Sequence, residues 1–371
     1  MPATAFTFRP AALPCNPVWR SYKGGGVLRA FRGKPGAADD HFPEDWLAST
    51  VLARNGKNQQ SPAEGVSALQ FNGSLQALPQ LLFENPAFWF GAGSEQRKQS
   101  LGGPGTGVLW KLLDSSVRLQ VQAHPNRAFA RQHLGSSKGK TECWHILSTR
   151  GNDAYVYLAF QNPPTKSAWK RMIQEQNVPA ILSCFEPIPV KAGQTYVIPA
   201  GTPHAIGEGV FMMELQEPTD WVVRCETVNA GLKLPPEACF MGLDLDRCLD
   251  VFEYKAQPGT EVRQTLQQRP KALRTTSNFR EEECISREFH EFFRLHRLHG
   301  TGEASWPGTE LMLLIVLRGE ASLSSGDDAQ RVQKGETWLL PGAADQWRLV
   351  EPKGDWEILL AKLPLTPHAS T

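Results

Sequence analysis

Two pairs of sequence blocks recur in the same order along this chain, and that repetition narrows the folds open to it. VKAGQTYVIPA, from Val190, matches VQKGETWLLPG, from Val332; Gly193 to Pro199 and Gly335 to Pro341 are both six positions. Upstream, TECWHILSTRG, from Thr141, matches TELMLLIVLRG, from Thr309; Glu142 to Gly151 and Glu310 to Gly319 are both nine. Matched blocks in matched order indicate two related units in tandem. The charged, apolar-poor stretch Gln257 to Glu283 is where one unit would give way to the next.

The units read as β. Glycine (32) and proline (28) punctuate the 371 residues instead of gathering in one linker. Between them lie short alternating or β-branched segments: Gly107 to Gln122, Ala154 to Phe160, Gln194 to Pro199, Val210 to Gln216, Leu311 to Leu317 and Thr337 to Leu340. Such spacing predicts an all-β sandwich or barrel. Two segments break the pattern. Leu75 to Phe90 has Leu75, Leu78, Leu81 and Leu82 at helical spacing. Ser167 to Gln176 reads as a short amphipathic helix closed by Pro179.

Charge excludes several functions. Lys plus Arg is 39 and Asp plus Glu is 38, a net charge of +1. A nucleic-acid binder normally carries a basic excess, so none is expected here. The longest apolar run, Leu311 to Leu317, is too short to span a bilayer, and MPATAFTFRP is no signal peptide. Cys15, Cys143, Cys184, Cys225, Cys239, Cys248 and Cys284 form no C-x-x-C pair. They read as reduced thiols of a cytoplasmic protein.

Three segments hold chemistry-bearing side chains. In RLQVQAHP, from Arg118, alternation turns Gln120, Gln122 and His124 to one face. In GKTECWH, from Gly139, Lys140, Glu142 and Trp144 share a face. In PAGTPHAIG, from Pro199, a Pro/Gly turn delivers His204 to the start of a strand. Two histidines and a carboxylate on three strands make a divalent-metal set with a coordination position left open. Taken singly, each would be an ordinary hydrogen-bonded or solvated residue.

The whole pattern resembles the class I mannose-6-phosphate isomerases, zinc-dependent enzymes of the cupin type, in their short bacterial form. The motifs are VQAHP from Val121, GKTE from Gly139, PAGTPHAI from Pro199 and MELQEPTDWVVR from Met213. The resemblance implies tandem cupin (jelly-roll) β-barrels. Residues 1–256 would be a catalytic domain with helical insertions at about 75–100 and 165–178, and 257–371 a degenerate one. It implies one zinc per chain, or another divalent metal, held by His124, Glu142 and His204, with Gln122 a fourth ligand in some members. It places Arg224 near the reacting carbons and Lys140 and Glu214 in the same pocket. The partner implied is a small sugar or sugar phosphate, with neither nucleic acid nor membrane; monomer and homodimer stay equally open.

The implied reaction interconverts mannose 6-phosphate and fructose 6-phosphate through an enediolate. It needs a base at hydrogen-bond distance and a stabilised oxyanion. Arg224 can only donate, so its role is electrostatic. Lys140, Glu214 and a metal-activated water are all candidates for the base. The substrate end is less clear. Relatives carry L-S-x-Q-x-H-P before the first histidine, with a phosphate-side serine where this chain has Gln120. Lys111, in WKLLD, matches another phosphate-side position. An unphosphorylated or different sugar, acted on by an isomerase or epimerase, and a non-catalytic sugar-binding protein are the competing readings.

The second unit reads as inert. Aligning Pro341 on Pro199 puts Gln346 where His204 stands. Aligning Glu310 on Glu142 puts Phe292 where His124 stands. His290, His296 and His299 are read as structural. SYKGGG, from Ser21, and LGGPGTG, from Leu101, are turns and not phosphate loops. Trp19 and Trp46 lie in segments similar to those at the pocket mouth.

Overall fold

The computed structural model describes residues 9–71, 73–95 and 105–365. It is built mostly of β-strands, with few short helices. Two seven-stranded sheets form its centre. In the first, the spatial order is Gln267–Gln268, Thr195–Ile198, Glu142–Thr149, Val210–Gln216, Leu109–Asp114, Glu44–Leu47 and Pro17–Val18. In the second it is Ala11–Ala12, Thr337–Leu340, Met312–Arg318, Trp356–Lys362, Arg294–Gly300, Phe279–Glu283 and Lys271–Thr275.

Alternation along these strands makes the layers. Trp110, Leu112, Cys143, Val197, Met213 and Leu215 of the first sheet pack on Leu295, Leu313, Ile315, Leu339, Leu359 and Ala361 of the second. The intervening residues, Trp144, Ile146, Tyr196, Ile198 and Met212, face the other way. They meet Val156, Leu158 and Ile206 of a five-stranded sheet. A four-stranded sheet covers the second half in the same manner. The helices Lys166–Gln174 and Val178–Leu182 pack behind the five-stranded sheet through Trp169, Ile173 and Ile181.

The two halves are interlocked. Ala11 and Ala12, from the N-terminal end, pair with Leu339 and Trp338. Gln267 and Gln268 pair with Tyr196 and Thr195 of the first sheet. Each half thus completes the other's sheet edge. SYKGGG is where the chain turns tightly against the first sheet. A Cβ on Gly24 would lie 1.8 Å from the Asp114 carbonyl oxygen, so only glycine fits. Asp114 Oδ2 then accepts from the backbone N–H groups of Gly25 and Val27 at 2.8 Å each, closing the N-terminus of the helix Gly26–Phe31.

Several expectations need correcting. The described sheets are open: Gln267–Gln268 and Pro17–Val18 are free edges of the first, so neither half closes into a barrel. Glycine and proline spacing marks strand ends, but closure depends on which edges meet. Leu75 is not helical; it lies in Ser74–Ala77, hairpinned on Ala68–Phe71, and is 64% exposed. The helices there are Leu78–Glu84 and Pro86–Phe90. The rest of that insertion, 96–100, lies outside the described residues, as do most of LGGPGTG and the first eight residues. Pro179 does not close the helix Lys166–Gln174; it sits in the first turn of the next one, where a missing N–H costs nothing.

The second half aligns differently from the sequence blocks. Ile198 pairs with Glu142, and Leu340 pairs with Met312, so Met312 and not Glu310 holds the equivalent place. His204 pairs with Gln122, and Gln346 pairs with Pro307. Two residues on from Pro307 stands Thr309, which takes the place of His124 instead of Phe292. Between them the first half inserts the helix Arg127–His133. Pro307, Thr309, Met312 and Gln346 are no metal set.

His145 offers a stability test. It is buried on the face toward the second sheet, its Nδ1 2.9 Å from Thr195 Oγ1. Burial, helped by Arg297, lowers its pKa from 6.5 to about 4. The unfolded chain therefore binds the extra proton first. His145 contributes its stability above pH 6.5 and loses it as pH falls toward 4, in all about 3 kcal/mol. Urea unfolding at pH 7 and pH 4.5 should show a smaller acid loss for His145→Gln than for the parent. Equal losses would remove His145 as a cause.

Candidate metal centre and pocket

The site lies between the first seven-stranded sheet and the five-stranded sheet. Glu142 opens the strand Glu142–Thr149, and His204 opens His204–Ile206. His124 follows the short strand Gln122–Ala123, which pairs with both His204–Ile206 and Val223–Arg224. Three strand ends thus converge. The ligating atoms of His124, Glu142 and His204 all lie within 4.8 Å of one another, and all three residues are buried.

The donor set fits a cation. His124 Nδ1 stands 2.9 Å from the Trp221 carbonyl oxygen, and His204 Nδ1 2.9 Å from that of Thr202. A carbonyl only accepts, so each ring carries its proton on Nδ1 and turns the Nε2 lone pair inward. Burial keeps both rings neutral: His124 is lowered to about 3, and His204 also falls. Glu142 completes the set. Burial opposes its charge, the neighbouring Lys140 ammonium favours it, and the carboxyl is held well below the usual range. Both its oxygens are buried and accept no hydrogen bond. Oε1 is 3.1 Å from His124 Nε2, and Oε2 is 3.6 Å from His204 Nε2. Two inward lone pairs facing a buried carboxylate that accepts no hydrogen bond are a donor set that a divalent ion would fit.

Gln122 stands at the rim of this triad, its Nε2 3.3 Å from His204 Nε2. Turning the amide end for end puts its oxygen there instead. Lys140 Nζ is 2.9 Å from Glu142 Oε1 and 3.3 Å from His124 Nε2. Trp144 packs its ring edge-on to His204 at 5.4 Å and donates Nε1 to Glu214 Oε1 at 3.2 Å.

Beside the triad opens a pocket lined by Lys111, Gln120, Gln122, Lys140, Glu214 and Arg224. All six are expected there from sequence, whereas Trp19 and Trp46 do not line it. Lys111 is no surface lysine: it is buried in mid-strand, ion-paired to Glu214 and 3.8 Å from Glu44. Burial, then the Glu142 charge, pushes the Glu214 carboxyl up to about 7. Arg224 donates to the Ala238 carbonyl at 2.6 Å; among the described residues no carboxylate lies at ion-pair distance from it. Gln120 Oε1 accepts from Ser21 Oγ at 3.4 Å.

Sequence reasoning missed five polar pocket residues: Arg20, Ser21, Tyr22, Glu44 and Asp220. Arg20 bridges Glu44 at 2.9 Å and Asp220 at 3.3 Å. Only Asp220 had a signal, inside MELQEPTDWVVR. Trp46 is buried and donates Nε1 to Glu44 at 2.7 Å, so it acts on the pocket through that carboxylate. Trp19 stacks on His41 at 5.7 Å, outside the lining. His290 and His296 pair with Glu283 and Glu281 in the second half, apart from any metal set. No helix among the described residues is long and apolar enough to cross a membrane.

Comparison with known proteins gives the same direction throughout. No family model matches the chain. It is 29% identical over 243 residues to mannose-6-phosphate isomerase ManA of Bacillus subtilis, covering 65% of this chain and 71% of that one. It is 29% identical over 254 residues to mannose-6-phosphate isomerase of Streptococcus mutans, covering 68% and 72%. The crystal structure of the mannose 6-phosphate isomerase of Bacillus subtilis superposes with a TM-score of 0.71 at 20% identity, over 95% of this chain and 99% of that one. That of phosphomannose isomerase from Salmonella typhimurium gives 0.69 at 14% identity, over 96% and 100%. In sequence, in fold and in the His/Glu/His triad at its centre, the chain is similar to the mannose-6-phosphate isomerases.

Proposed function

We infer that this protein interconverts mannose 6-phosphate and fructose 6-phosphate, with a divalent metal, zinc in the first place, held by His124, Glu142 and His204. The observation that carries the reading is the convergence of two inward Nε2 lone pairs on a buried carboxylate that accepts no hydrogen bond. Gln122 is the fourth ligand when its amide oxygen faces in. The His/His/carboxylate set suits zinc, and manganese or cobalt would also fit it.

Pocket charge supports a phosphorylated substrate. Arg20, Lys111, Lys140 and Arg224 face Glu44, Glu142, Glu214 and Asp220, four against four. A divalent ion would leave the pocket at about +2, which suits a phosphate dianion. Lys111 and Gln120 are assigned to the phosphate side. Ser21, beside Gln120, supplies the hydroxyl that relatives carry at the glutamine's own position.

A bound ion would stabilise negative charge developing on the sugar oxygens. The remaining work falls to this chain. A base removes the proton from C2 and returns it to C1, while the hydroxyl proton passes from O2 to O1, so that the carbonyl moves from C1 to C2. Both candidates are ion-paired, Lys140 to Glu142 and Glu214 to Lys111; Glu214 is favoured because its carboxyl, pushed up to about 7, can take up and release a proton near neutral pH. Arg224, the cation with no carboxylate against it, steadies the enediolate.

The strand order supports reading each half as an open jelly roll of the cupin kind. Residues 1–256 form the catalytic unit and 257–371 the inert one. Their exchanged edge segments favour joint unfolding. Seven free cysteines, six of them buried, support a cytoplasmic location.

The test is initial-rate isomerisation of mannose 6-phosphate by metal-replete protein, with a chelator-treated sample beside it. Turnover lost on chelation and restored by zinc is expected. A protein that holds one metal ion and turns over only unphosphorylated mannose would displace the substrate named here.

A further inference from the structure

On the other face of the strand Glu142–Thr149, away from the metal triad, the two seven-stranded sheets diverge and leave a cleft of ≈ 560 Å³. Its volume is that of a small-molecule site. Three features of its lining have no role in the chemistry above.

The walls are apolar. Phe31, Leu147 and Leu317 are half-buried at the margin of the central core, and Phe31 meets the ring of Phe211 at 5.4 Å. The floor holds one polar group. His145 is 2% exposed and its Nδ1 is taken by Thr195, while Nε2 has no hydrogen-bond partner among the described residues. The rim is cationic. Arg297, Arg318 and Lys334 line the cleft with a single carboxylate, Glu357. Arg297 takes Glu357 at 2.7 Å, which leaves Arg318 4.0 Å from it. No carboxylate lies at ion-pair distance from Lys334 among the described residues.

We propose that this inter-sheet cleft binds a small amphipathic anion: an aromatic or short aliphatic body carrying one carboxylate, sulfonate or phosphate head. The body displaces water from Phe31, Leu147, Phe211 and Leu317. The head meets Lys334 and Arg318. Exposed cations hold a bare anion weakly in water, so the head alone gives little affinity. The combination selects molecules having both parts. His145 Nε2 supplies a directional contact at the floor.

The probe is 8-anilino-1-naphthalenesulfonate, followed by fluorescence on the full-length, metal-loaded protein. Saturable binding to one site is expected. Lys334→Glu should weaken it at least tenfold, and Ala192→Trp, at the exposed mouth, should abolish it by filling the cleft. Lys353→Glu, a surface lysine paired with Glu320, should leave it unchanged. Octanoate should displace the probe, whereas inorganic phosphate and mannose 6-phosphate at the same concentration should not. Circular-dichroism melts matching the parent establish that the variants fold, with Ala30→Trp as the second cleft-filling variant. Binding indifferent to both Lys334→Glu and cleft filling would overturn the proposal. So would displacement by mannose 6-phosphate, which would put the probe in the reaction pocket, or by phosphate alone, which would reduce the cleft to a charge patch.

Discussion

Glu142→Gln should leave a folded protein that no longer retains metal and turns over at least about a thousandfold more slowly, a loss of about 4 kcal/mol in transition-state stabilisation. The substitution keeps the shape of the side chain and removes only its charge. Glu142 is the single anion of the triad; neither of its oxygens accepts a hydrogen bond, and its one cationic side-chain neighbour among the described residues is Lys140. Without it, two neutral imidazoles and the Lys140 ammonium remain around the ion's place, and the ammonium repels a cation. Lys140 also loses its 2.9 Å counter-charge, so a modest fall in melting temperature accompanies the change. Metal analysis after gel filtration, with the assay and a melting curve on the same sample, checks all three parts. A variant that kept one tightly bound ion per chain would show that the ion sits elsewhere.

What could be read before the fold was known followed physical range. Val210–Gln216 and Thr337–Leu340 emerge from alternation and bounding turns, both written locally. Leu75 went astray because its leucine spacing is helical, while its conformation is decided by pairing with Gln70. No local pattern carries that partner. The metal triad was legible because each histidine or carboxylate sits at a strand end next to a turn, Glu142 and His204 at a start and His124 just past a finish. Arg20, Ser21 and Glu44 were not, since sheet neighbours bring them in from the N-terminal segment. The second-half alignment failed for a similar reason: the insertion around Arg127–His133 changes the spacing from the first histidine to the glutamate.

Arg20→Met should destabilise the protein by about 3–5 kcal/mol at neutral pH, the usual consequence of stripping one partner from a buried ion pair. Arg20 is 4% exposed, lies over the Trp46 ring at 4.9 Å, and links Glu44 to Asp220. Methionine restores most of the volume, so what is lost is charge. Glu44 keeps the Tyr22 hydroxyl at 2.6 Å and Trp46 Nε1 at 2.7 Å, while its nearest remaining cation, Lys111, is 3.8 Å away and committed to Glu214. Asp220 keeps the Arg54 backbone N–H at 2.7 Å. Burial opposes the charge on Glu44 and Asp220, and Arg20 leads the groups that hold both below the ordinary carboxylate range. A depressed carboxylate contributes its stability above the unfolded value, near 4.5 for Glu44, and loses it as pH falls. The gap between parent and variant should therefore be widest near pH 7 and narrow below about pH 4, where protonation relieves the two carboxylates. Urea unfolding at both pH values measures it, and an equal gap at the two would assign the defect to packing. The same variant lowers pocket charge by one unit. It should raise KM for mannose 6-phosphate about tenfold, with a smaller effect on kcat, because Arg20 steadies the pocket's charge and touches no reacting carbon.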